Sequence, residues 1–155
     1  MADDFAELES YLAAQIERLG PGQRRRIGRK IGQELRKANA KRIAANVQPD
    51  GAAMEPRKKR AARKGAKAAR KGRMFRKLRL AKAMKIRAGA DEVELSFEGA
   101  AGRTARAHQL GLVDFVGRTR GGKVVRSKYP ERQLLGFGAE DLAMVGDAVL
   151  GLLES

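Results

Sequence analysis

Residues 84–97, MKIRAGADEVELSF, decide the fold class. Met84, Ile86 and Ala88 alternate with charged or small residues, and Val93, Leu95 and Phe97 alternate with Glu92, Glu94, Ser96 and Glu98, the period of two expected of half-buried strands. Ala90-Asp91 falls between the runs, near a hairpin turn. Downstream, a short helix over Ala101 to Gln109 leads to a strand at LVDFV, a turn at GRTRGG and a second strand at KVVRSKY. Ala139 to Leu153 then returns to a helical period. Leu142, Val145, Val149, Leu152 and Leu153 are expected to face inward, with Glu140 and Asp141 beside the positive end of the helix dipole.

Upstream of the strands the period is helical throughout. Phe5, Leu8, Leu12, Ile16 and Leu19 recur at spacings of three and four, and Gly20-Pro21 stops that helix. Ile27, Ile31, Leu35 and Ala38 continue the period in a second, basic helix that is expected to fade by Asn46, where NVQPDG makes a turn with positive φ available at Gly51. These elements predict an α+β fold: N-terminal helices and a C-terminal helix packed on a small antiparallel sheet, with a long basic arm. At 155 residues one domain is expected, with a helical part at 1–47, a basic arm or loop at 48–82 and a strand-rich part at 83–155.

The formal charge of +16 is unevenly distributed. Residues 1–17 carry five acids and no base, residues 18–87 carry 26 bases and three acids, and residues 88–155 carry eight bases and ten acids. Within the basic part, RKKRAARKGAKAARK at 57–71 contains no large apolar side chain, so we expect it to order only against a partner. Such a run binds phosphate backbones by counterion release, docks on an acidic protein surface, or remains solvated. Aromatic residues make up 5% of the chain and there is no Trp, too few to furnish stacking platforms for single-stranded nucleic acid.

Enzyme chemistry finds little support. The absence of cysteine removes disulfides, thiolate metal sites and Cys nucleophiles, and His108 is the single histidine. It is expected to make a structural hydrogen bond near the end of a short helix. GRTRGGKV at 117–124 matches a phosphate loop up to its last position, where Val124 lacks the hydroxyl that would hold magnesium, and a strand follows where a helix should. Gly136-Phe137-Gly138 has Asp141 where a dinucleotide fingerprint needs its third glycine. Asp91, Glu92, Glu94 and Glu98 read as a solvated face, or as a partner for the basic arm, rather than a general acid and base. No cofactor, metal or small-molecule substrate is expected. The opening MADDFAELES lacks the apolar core of a secretory signal, and no run approaches a membrane span, so no membrane partner is expected.

Four segments in order, IAANVQPDGAAMEPRKK at Ile43 to Lys59, RMFRKLRLAK at Arg73 to Lys82, RAHQLG at Arg106 to Gly111 and YPERQLLGFGAEDL at Tyr129 to Leu142, resemble the phage virion morphogenesis family, the tail completion proteins of contractile-tailed phages such as the Mu-like group. Together they span about two-thirds of the chain. The matching positions are Pro49, Asp50, Gly51, Pro56 and Arg57, then His108, Gln109 and Gly111, then Pro130, Arg132, Leu135, Gly136 and Asp141. The length and alanine content of the arm depart from the family pattern.

The resemblance implies a non-enzymatic virion protein of the tail or neck, assembled in the host cytoplasm. It would cap the finished tail tube as a homo-oligomeric ring, a hexamer by resemblance, and meet tail tube or sheath proteins on one side and head-neck connector proteins on the other. On this reading Arg57, Lys58, Lys59, Arg60, Arg63, Lys64, Lys67, Arg70, Lys71, Arg73, Arg76 and Lys77 are the expected contact residues, with DNA at the head–tail joint a further possible partner. The alternative is a free basic nucleic-acid-binding protein acting through residues 57–87. A third reading, an enzyme using the glycine turn with Lys123, requires nucleotide binding.

Overall fold

The computed structural model describes residues 2–58 and 74–154. Helix α1 (Ala2–Arg18) and helix α2 (Pro21–Ala45) are followed by strands β1 (Met84–Ala88) and β2 (Val93–Phe97), helix α3 (Gly99–Gln109), strands β3 (Val113–Arg118) and β4 (Val124–Lys128), and helix α4 (Ala139–Leu153). The class is α+β, as the sequence implies.

The two helices at the N-terminus are separate because Gly20 is extended, at φ −63° and ψ 156°, and Pro21 starts α2 where no backbone donor is required. Gln23 closes that end by accepting from the Gly20 N–H at 3.1 Å. At the other end Asn46 is left-handed, with φ 56°, and its N–H returns to the last turn. Gly51, at φ 89°, completes the following turn, which Asp50 braces by accepting from the Ala52 N–H at 2.9 Å.

The strands form two separate antiparallel ribbons instead of one small sheet. In β1–β2 Met84 opposes Phe97 and Ala88 opposes Val93. In β3–β4 Val113 opposes Lys128 and Phe115 opposes Arg126, with an irregularity before Gly117. Helix α3 comes between β2 and β3 in the chain and packs on β2, so no ladder joins the ribbons.

Among the described residues, α2 is the N-terminal helix that enters the core. Its buried face consists of Gly28, Gly32, Leu35, Asn39 and Ile43, while Ile27, Ile31 and Ala38 from the expected stripe are half-buried. The face is rotated because the two glycines let α2 lie directly on the β1–β2 ribbon. A Cβ on Gly32 would stand 2.6 Å from Ile86 Cγ2, and one on Gly28 2.6 Å from Val93 Cγ2. Gly32→Ala is therefore expected to cost about 1–2 kcal/mol in urea unfolding despite alanine's better helix propensity, whereas Gly22→Ala, which meets nothing within 4 Å, should be neutral or slightly stabilising.

Beneath the ribbon lies the core of Ile43, Met54, Met74, Phe75, Leu78, Met84, Ala105 and Leu134. Met74, Phe75 and Leu78 thus return the chain to the core as expected, but Leu80 is 42% exposed. Helix α4 has the expected bounds and a different rotation: Leu142 is 63% exposed, while Met144, Val145, Ala148 and Val149 are half-buried. Burial of Asp141 against Arg42 sets this rotation and turns Leu142, one residue on, away from α2. Among the described residues, no helix is long and apolar enough to cross a membrane.

Candidate functional site

Tyr129 to Gly138 links β4 to α4 with no helix or strand of its own, yet Arg132, Leu134 and Gly138 within it are buried. Buried irregular backbone needs hydrogen-bond partners that neither a helix nor a ladder supplies. Side chains provide them here. Gln109, at the end of α3, accepts from the N–H groups of Leu134 and Leu135 at 2.7 and 3.1 Å and donates to the Leu135 carbonyl at 3.1 Å. Gln48 accepts from the Gln133 N–H at 3.0 Å, and Asn39 on α2 accepts from the Gly136 N–H at 3.2 Å while donating to Leu35 O at 2.8 Å.

Arg132 is the centre of this lock. Its Nε donates to the Glu55 carbonyl, Nη2 to the Pro56 carbonyl at 3.1 Å and Nη1 to His108 Nδ1 at 3.0 Å. Its own N–H donates to the His108 carbonyl at 2.7 Å. A guanidinium has no acceptor, so His108 Nδ1 must be unprotonated and the imidazole carries its proton on Nε2. Phe75, at φ 59°, meets the His108 ring edge-on with centroids 4.7 Å apart, and Tyr129 lies at 4.3 Å on a tilted plane.

Burial, with the charges of Arg132 and Arg57 added and Asp114 opposing, lowers the His108 pKa from 6.5 to about 4. Between these values the unfolded chain binds a proton that the folded one does not, so stability is complete above about pH 6.5 and declines as the pH falls toward 4. We expect a loss on the order of 2–3 kcal/mol across that window. Urea midpoints at pH 7 and pH 5 check it, and His108→Gln, which keeps an acceptor for Arg132 without a titrating group, should flatten the dependence.

The remaining matched positions complete the same lock. Gly111 has φ 61° and lies so close to Glu131 that a Cβ would stand 3.2 Å from its backbone nitrogen. A Cβ on Gly136 would meet the Pro49 ring at 2.7 Å. Arg42 donates to the Gly136 carbonyl at 3.1 Å and pairs with Asp141 at 2.7 Å, and Asp141 accepts from the Gly138 N–H at 2.8 Å at the start of α4. Leu135 packs against the core and Pro130 is half-buried. Positions from three distant stretches of sequence thus form one connected scaffold.

The described residues on either side of 59–73 are held by this scaffold. On one side Arg132 holds the Glu55 and Pro56 carbonyls; on the other Phe75 packs on His108. Arg57, Lys58, Arg76 and Lys77 are exposed around that base. The expected contact residues Lys59, Arg60, Arg63, Lys64, Lys67, Arg70, Lys71 and Arg73 lie outside the described residues.

Gly117 to Lys123 closes the β3–β4 hairpin, with Thr119 N–H donating to Lys123 O and Gly122 at φ 82°. A strand follows it, so the phosphate-loop pattern has no helix N-terminus behind it. Among the described residues no group of three or more His, Cys, Asp or Glu converges on a possible metal site. Asp91 pairs with Arg24 and Glu98 with Arg87, a use for two of the strand-region acids as surface partners.

Sequence reasoning missed the exposed apolar surface. Val113, Phe115, Val116, Val124 and Val125 on the β3–β4 ribbon are exposed, as are Phe137, Leu142 and Leu150 near and on α4. The available signal was the apolar run Val124-Val125 and the pair Phe115-Val116, which give a ribbon apolar residues on both faces.

Compared with known proteins, residues 3–154 match the family model described as the phage virion morphogenesis family. Tail completion protein S of Escherichia phage P2 is 35% identical over 154 residues, covering 98% of this chain and 99% of that protein. No solved structure matches.

Proposed function

Because this chain belongs to the phage virion morphogenesis family, we propose that it is a structural component of the virion tail that completes the tail, capping the finished tube as a ring and joining it to the head. The observation that carries this reading is the exposed apolar surface of the β3–β4 ribbon and α4 on a subunit of only 155 residues. Exposed large apolar side chains clustered on one ribbon of a small protein serve association. A ring needs a patch and a different, complementary patch on each copy, with a rotation that closes.

The arm supplies the joining contact. Residues from Arg57 to Lys82 reach a neighbouring subunit, an adjacent tail or neck protein, or DNA at the joint, starting from the base held by Arg132 and His108. No step in this role requires catalysis or a cofactor. Replacing Arg60, Arg63, Lys64 and Lys67 together by Glu is expected to leave unfolding unchanged and to reduce head–tail joining at least a hundredfold, counted as joined particles by negative-stain microscopy. Normal joining by that variant would remove the arm from the role.

Cryo-electron microscopy of particles carrying the tagged protein tests the reading as a whole. A closed ring at the head-proximal end of the tail supports it. The net charge of +16 favours one competing reading, a free nucleic-acid-binding protein. That reading predicts label absent from tails and bound along DNA, with affinity falling steeply with salt.

A further inference from the structure

In helix α1 and in the β3–β4 ribbon no described side chain is buried and most are exposed. They are opposite in charge. Helix α1, Ala2–Arg18, holds five acids and one base, and the ribbon, Val113–Lys128, holds five bases and one acid.

The ribbon's two faces differ. Asp114 and Ser127 oppose each other on a half-buried face. On the outer face Val113 opposes Lys128 and Phe115 opposes Arg126, all four exposed, with Val113 at 57% and Phe115 at 52%. Two large apolar side chains therefore lie beside two cations on an uncovered surface. Helix α1 has the complementary pattern: Glu9 is three residues before Leu12 and seven before Ile16, so by helical spacing an acid shares the face of the apolar stripe. Seventeen helical residues span about 25 Å, enough to cross a ribbon of this length.

We propose that α1 of one copy lies on the outer face of the β3–β4 ribbon of the next copy, its apolar stripe against Val113 and Phe115 and its acids toward Arg126 and Lys128. This inference rests on the ring reading above and names the surfaces that build it. Charge selects the pairing. Helix against helix would set acids on acids, and ribbon against ribbon would set bases on bases, so like surfaces repel. The contact is thereby heterologous, and an open row of copies keeps one free helix at one end and one free ribbon at the other until it closes.

The chain has no cysteine, so introduced pairs report without background. Assembled particles are made with the full chain carrying Glu9→Cys and Arg126→Cys, oxidised, and run on a non-reducing gel. The expected result is a ladder of linked copies, with either cysteine alone giving no ladder. In parallel, Arg126→Glu with Lys128→Glu is expected to lower completed tails at least tenfold, and adding Glu7→Lys with Glu9→Lys to the same chain to restore them. A link within single chains, or dimers and nothing larger, overturns the proposal. So does the absence of any link, without charge rescue, in particles whose tails carry a visible ring; the ring reading then stands without it. Particles with no ring by microscopy overturn the ring reading itself.

Discussion

Replacing Arg132 by alanine is expected to cost about 3–5 kcal/mol, a large share of the stability of a domain this size. Three acceptors lose their donor at once: the carbonyls of Glu55 and Pro56 and the Nδ1 of His108. Arg132 is 3% exposed, so water does not readily replace it, and each buried acceptor left alone costs about 1–3 kcal/mol. Arg132→Lys should rescue little, because an ammonium lacks the planar fork that reaches three acceptors in different directions. Urea midpoints read the effect. On the proposed joining role, head–tail joining should fail even below the unfolding midpoint, because the chain at Pro56 is released. A loss under 1 kcal/mol for Arg132→Ala would show that the lock is redundant.

Arg42→Ala is expected to cost about 3–5 kcal/mol at pH 7, the usual consequence of removing one partner from a buried ion pair. Asp141 is 4% exposed, and the guanidinium also donates to the Gly136 carbonyl. Burial alone pushes the Asp141 carboxyl up, but hydrogen bonds from Arg42 and the Gly138 N–H outweigh it and leave the pKa below the ordinary 3.8. The sign follows. In the native protein this stability is present above the unfolded value and is lost as pH falls through the depressed folded one. In Arg42→Ala the burial remains with only the Gly138 N–H to offset it, so the carboxyl pKa rises and protonation relieves the strain. The difference between variant and native protein is therefore largest at pH 7 and shrinks toward pH 4. Arg42→Leu combined with Asp141→Asn, which leaves no buried charge, should recover more than half of the loss.

These two arginines also mark where local reading stops. Sequence resemblance marks Arg132, Asp141, His108 and Gln109 as matched positions, and composition adds only that His108 is the single histidine. Neither explains what they hold. Arg132 meets Pro56 across 76 residues of sequence, and Asn39 meets Gly136 across 97. No period or spacing reports a contact of that range.

The strands β1 and β2, the break at Gly20-Pro21, the helix stop by Asn46 with positive φ at Gly51, and the span of α4 were all determined by the sequence, because each depends on side-chain alternation, helical spacing or φ preference within a few residues. The outcomes decided by tertiary structure concern which face meets which. Gly28 and Gly32 bring α2 onto the ribbon only because Ile86 and Val93 occupy the space their missing side chains leave. Leu142 points outward because Asp141 is committed to Arg42. The strands remain two ribbons because α3 comes between them in the chain and packs on β2, and the apolar outer face of β3–β4 stays open because nothing else described in the chain covers it. Helical and strand periods require only near neighbours, whereas rotation, docking and exposure depend on surfaces brought together from distant parts of the chain.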